Sequence, residues 1–161
     1  MNTSDFLLLV VLLAFSAYFS ASETAFSTVN KIRLKSYADN GSKKAKVALN
    51  IAENFDRTLS TILVGNNVVN TASAALMTTV TTALFGASGA VIATAVTTVL
   101  VLIFGEILPK TYGKENSEKL ALSISGSMHF LIVLLTPVVS VFQLLQRLVV
   151  RLCSKGDKSP S

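Results

Sequence analysis

The chain has 161 residues, of which 51% are hydrophobic and only 14% charged. A soluble domain carries about 25% charged residues, so this composition excludes an ordinary soluble fold. The net charge of +5 does not mark a nucleic-acid binder, because the basic residues flank apolar runs, and no nucleic-acid partner is expected.

The first apolar run spans about residues 6–28, past the ~20 residues that cross a bilayer. A secretory signal is not expected here: the only early charge is Asp5, where a signal needs a basic start. Residues 31–56 are polar and basic, with apolar side chains at Ile32, Leu34, Val47, Leu49, Ile51 and Phe55 and a break at Asn40-Gly41-Ser42. This pattern predicts two interfacial helices whose basic face meets anionic membrane lipid. A second span is expected at about residues 58–85, a tight uncharged turn at Gly86-Ala87-Ser88-Gly89, and a third span at about residues 90–108.

Seven Lys and Arg residues lie between Lys31 and Arg57, three between Lys110 and Lys119, and four between Arg147 and Lys158. The positive-inside rule places all three groups in the cytoplasm. The N-terminus is then outside and the C-terminus cytoplasmic. A single crossing by the fourth apolar stretch, Leu120 to Val150, would reverse the last group. It is interrupted at Thr136-Pro137, and proline removes a helix hydrogen bond. Residues 117–152 are therefore expected to form two interfacial or re-entrant helices. The fold class that results is an all-α integral membrane protein with three transmembrane helices and juxtamembrane or re-entrant helices on the cytoplasmic side. Residues 1–152 form one transmembrane domain, and residues 153–161 a disordered linker toward soluble domains. Cys153 is the only cysteine, so no intrachain disulfide forms.

Three polar clusters interrupt the apolar runs: Ser20-Ala21-Ser22-Glu23-Thr24, Gly65-Asn66-Asn67-Val68-Val69-Asn70 and Gly105-Glu106-Ile107-Leu108-Pro109-Lys110. An ionisable residue inside a membrane is costly and marks function by default, which singles out Glu106. With the cytoplasmic boundary at Lys31, Arg57 and Lys110, helical rise puts Ser20 about 16 Å in, Asn66 about 14 Å, Asn70 about 20 Å and Glu106 about 6 Å. Ser16, Ser20, Glu23 and Ser27 share one helix face, as do Asn66, Asn70, Ser73 and Met77. Pro109 has no N–H to offer the Gly105 carbonyl, and freed backbone is tolerated at this depth where it lines a cavity.

The ligands on offer are hydroxyls, amides, a carbonyl and one or two carboxylates, without a Cys/His cluster. Such a set argues against zinc, copper or iron and suits Mg²⁺, Ca²⁺ or Na⁺. Glu23 and Lys110 are coupling candidates, each with an ion-pair alternative: Glu23 with Lys31 or Lys110, and Lys110 with Glu106. Gly65, Gly105 and Pro109 are hinge candidates. No Ser/His or paired-Asp arrangement stands out, so an enzyme is not expected.

Phe19-Ser20-Ala21-Ser22-Glu23-Thr24-Ala25, Gly65-Asn66-Asn67-x-x-Asn70 and Gly105-Glu106-Ile107-Leu108-Pro109-Lys110 together resemble the transmembrane domain of the CNNM/CorC magnesium transporter family. The resemblance implies a homodimer that binds dehydrated Mg²⁺ between its helices and exports it against Na⁺. It places Ser20, Asn70 and Glu106 on the ion, with Ser22, Asn66, Asn67 and Gly113 as second choices. It also implies cytoplasmic CBS domains beyond this chain. A divalent-cation channel and a membrane-anchored Mg²⁺ sensor are the alternatives.

Overall fold

The computed structural model describes residues 3–156. They form helix α1 (Thr3–Thr28), the short α2 (Lys31–Asp39) and α3 (Lys43–Glu53), and the long α4 (Phe55–Phe85). A 3-10 turn at Gly86–Ser88 leads into α5 (Gly89–Leu100). A π-helical stretch at Val101–Ile107 then continues into α6 (Leu108–Glu115), and α7 (Ser117–Gly156) is the last element among the described residues. Among the described residues there is no strand.

Local chemistry explains the boundaries. The Asn30 side chain accepts from the amides of Ile32 and Arg33, and the Ser42 side chain from Ala45, capping α2 and α3. Such caps satisfy amides that the first helical turn leaves without partners. Gly86, at φ 69°, turns α4 back into α5 through backbone space that a side chain would disfavour.

Three continuous helical stretches are long and apolar enough to cross a membrane: Thr3–Thr28, Phe55–Glu115 and Ser117–Ser154. The middle stretch, 61 residues long, is a hairpin that holds both the second and the third expected spans. The last stretch differs from expectation. Instead of two helices broken at Pro137, α7 is one helix of 40 residues with Pro137 inside it. Packing on both sides of the proline explains why. Met128, Ile132 and Val139 are all buried, and Arg57 Nη2 on α4 donates to Thr136 Oγ1 at 2.8 Å. These contacts outweigh the one backbone bond that proline removes. The helix also runs to Gly156, so residues 153–156 are not part of a disordered tail. Residues 157–161 lie outside the described residues.

The apolar core sits at the end of the bundle where α2 and α3 pack. Phe19, Phe26, Leu34, Ala48, Ile51, Ile62, Met128 and Ile132 are buried there together. Toward the Gly86 hairpin the packing becomes small and polar, as in membrane bundles whose backbones approach closely. Thr81 Oγ1 on α4 donates to the Gly89 carbonyl of α5 at 2.8 Å.

Candidate cation site

Helix α1 is the centre of the arrangement, packing against α4, the π-helical stretch, α6 and α7. Its buried Ser16 hydroxyl lies 2.9 Å from Asn70 Oδ1 and 3.2 Å from Asn66 Oδ1. Asn66 and Asn70 stand one turn apart on α4, so a single hydroxyl gathers both amide oxygens. The backbone of Gly105 closes over the same hydroxyl. A Cβ at position 105 would fall 2.7 Å from Ser16 Oγ. Three of the expected site residues, Asn66, Asn70 and Gly105, thus meet at Ser16, which is not among the expected ion ligands. The signal was present in the spacing: Ser16 is one turn before Ser20, on the same face.

Glu106 follows on the π-helical stretch. Asn70, Thr97, Thr98, Val101, Leu102 and Glu106 line one open groove of about 300 Å³. The π-helical turn is a feature the sequence reading missed. Its signal is Pro109, which cannot donate to Gly105. The Leu108 amide reaches back five residues to the Ile103 carbonyl, and the wider turn sits at Glu106. Such π-bulges recur at functional sites. Pro109 itself is buried in the first turn of α6, where its missing N–H is tolerated.

The other expected residues are distributed around this cluster. Ser20 is buried one turn from Ser16. Ser22 is buried too, and its hydroxyl donates to the Tyr18 carbonyl at 2.6 Å. Gly65 lies in unbroken helix with the Phe19 ring against it: a Cβ there would come 2.5 Å from Phe19 Cζ. Gly113 plays the same part for α6, its Cβ position 2.7 Å from the Ala21 carbonyl oxygen. Asn67 is exposed and does not line the groove.

Glu23 is half-buried and Lys110 exposed. Among the described residues the single ion pair joins Arg33 to Glu118, so neither Glu23 nor Glu106 is held by a basic side chain. Among the described residues no three His, Cys, Asp or Glu side chains gather. The groove therefore offers one carboxylate and several neutral oxygens. That set can attract a cation and still release it, because a single negative charge does not hold a divalent ion as a cage of carboxylates would.

Fold and site together define a multi-pass, all-helical membrane protein with a groove in which Asn70, Glu106 and two threonines stand beside Val101 and Leu102. The model of the cyclin M transmembrane N-terminal domain matches residues 7–161, and the chain belongs to that CNNM family. It is 40% identical to the UPF0053 inner membrane protein YfjD of Escherichia coli over 137 residues, covering 85% of this chain and 32% of that protein. A UPF0053 protein of Haemophilus influenzae is 39% identical over 134 residues, 83% of this chain and 32% of its own length. The polyamine export protein of Escherichia coli is 28% identical over 166 residues, covering 92% of this chain and 36% of that protein. The chain spans about a third of the length of these relatives.

Proposed function

We propose that this domain carries Mg²⁺ across the membrane, outward and in exchange for Na⁺, with no catalytic chemistry of its own. It works as a homodimer in the cell membrane, with the N-terminus outside and the C-terminus cytoplasmic, where further domains such as CBS modules follow. The observation that carries this reading is the convergence of Ser16, Asn66, Asn70 and Gly105 beside the groove that Asn70 shares with Glu106. Glu106 attracts the ion, and the amide and hydroxyl oxygens replace part of its water. Mg²⁺ sheds water reluctantly, so neutral ligands that strip only part of its shell keep release fast. Rocking of the hairpin about the irregular turn from Gly105 to Pro109 would expose the ion to either side in turn.

The test is Mg²⁺ flux in proteoliposomes with and without an opposing Na⁺ gradient, native chain against Glu106→Gln. Saturable, Na⁺-dependent flux that disappears in the variant supports the exchanger. Flux indifferent to Na⁺ identifies a channel or uncoupled carrier. Mg²⁺ binding without flux identifies a sensor.

A second reading rests on one relative being a polyamine export protein. Here the groove sets Val101 and Leu102 beside Glu106, a lining that suits an alkyl chain ending in an ammonium. Competition of spermidine with Mg²⁺ in the same vesicles separates the two substrates.

A further inference from the structure

Thr97 is 7% exposed, and its hydroxyl is the one buried side-chain polar atom among the described residues that has no hydrogen-bond partner. Its neighbours behave otherwise. Thr94 and Thr98 donate to the carbonyls one turn back, Ala90 at 2.9 Å and Thr94 at 2.6 Å. That is the usual way for a membrane helix to silence a threonine. A buried hydroxyl without a partner loses its water and gains nothing in return, so each such group calls for an explanation.

Its position supplies one. Thr97 lines the same groove as Asn70 and Glu106. It lies nine residues before Glu106, one turn ahead of the π-helical stretch. Helical rise, a little shorter through the π-helical turns, separates their backbones by roughly 12 Å. Positions that far apart mark the two ends of the groove, whereas the oxygens of one compact shell sit about 2.0–2.6 Å from Mg²⁺ or Ca²⁺. We infer that the Thr97 hydroxyl forms a second, neutral oxygen station on the cation path, at the end of the groove nearer the Gly86 hairpin. The inference rests on the transport reading above and adds a step to it. The ion leaves the Glu106 carboxylate, passes the Asn70 amide and pauses at Thr97 before release. A station without charge favours departure over capture, which is what the last site on a path requires.

The experiment compares the full chain with Thr97→Val, Thr97→Ser and Glu106→Gln in Mg²⁺ binding, Mg²⁺ flux, thermal stability and oligomeric state. Valine keeps the shape and removes the hydroxyl, so stability without Mg²⁺ should hold or rise. Equilibrium Mg²⁺ binding should change by less than about twofold, while maximal flux falls by about tenfold, the ratio that one lost oxygen contact brings. Thr97→Ser should restore most of the flux. Thr97→Ala gives the same reading if the valine variant does not fold. Native flux in Thr97→Val overturns the inference while leaving Glu106 in place. So does a shift of that variant from dimer to monomer, which would make the hydroxyl a contact between two copies. Native binding and flux in Glu106→Gln removes the underlying transport reading, and the station with it.

Discussion

Ser16 on α1 donates to Asn70 on α4 at 2.9 Å, across 54 positions of sequence. The same hydroxyl faces Asn66 Oδ1 at 3.2 Å and lies under the backbone of Gly105. One small side chain therefore holds together the three helical segments that bear the polar clusters. Ser16→Ala should leave the fold intact, since polar contacts between membrane helices contribute about 0.6 kcal/mol on average. It should weaken Mg²⁺ binding by about tenfold, because the two amides lose the group that aims them. Isothermal titration with Mg²⁺ reads the change, and unaltered affinity would remove Ser16 from the site.

Gly105 leaves no room for a side chain against Ser16. Gly105→Ala should push α1 away from the π-helical stretch and lower both stability and flux. Adding Ser16→Gly removes the obstructing hydroxymethyl group. Because the two positions touch, their effects should not add. Recovery of thermal stability in the double variant, with ion affinity still weak, is the expected result. A double variant as unstable as the sum of both singles would show that the clash lies elsewhere.

Gly65 makes a comparable approach to Phe19, whose ring belongs to the apolar core. Gly65→Val should displace that ring and cost about 1–3 kcal/mol, the usual penalty for overpacking. Thermal unfolding in detergent measures it. Phe19→Leu in the same chain should return part of the loss.

Glu106 is half-buried, and among the described residues it has no basic side chain within salt-bridge distance. Glu106→Gln keeps the size and removes the charge. Mg²⁺ binding should fall by at least about a hundredfold, since a charged ligand contributes about twice what a neutral one does. Asn70→Ala should fall less, by about tenfold. If Asn70→Ala proves the more damaging, the amide and not the carboxylate is the principal ligand.

Where α2 meets the start of α7, Arg33 Nη1 donates to Glu118 Oε2 at 3.0 Å. Hydrogen bonds from Tyr37 and then Arg33 hold the Glu118 carboxyl below its ordinary range. A carboxylate depressed in the folded state adds stability that is complete above its unfolded pKa and is lost as pH falls through the lower folded value. The native chain should thus lose a little more stability than Glu118→Gln as pH is lowered through the carboxylate range. The contact is exposed, so the difference should shrink in high salt. Melting curves at several pH values test it, and parallel pH profiles for both chains would exclude the contact.

Composition and charge placement settled the class of this protein before any contact was known. Long apolar runs must become helices in lipid, because every backbone polar group needs an internal partner there. The three polar clusters pointed to Asn70 and Glu106, since costly side chains in a membrane are few and stand out. Tertiary structure decided what helix periodicity could not. On periodicity alone Ser16 is one residue of a helix face; α4 and Gly105 close around it. Pro137 looked like a break until buried neighbours on both sides carried α7 through it. The π-helical turn and the unpartnered Thr97 hydroxyl belong to the same class. Pro109 marks the turn and helix spacing puts Ser16 on the face of Ser20, but which of these groups meet, and which stay unpartnered, depends on the surface another helix covers.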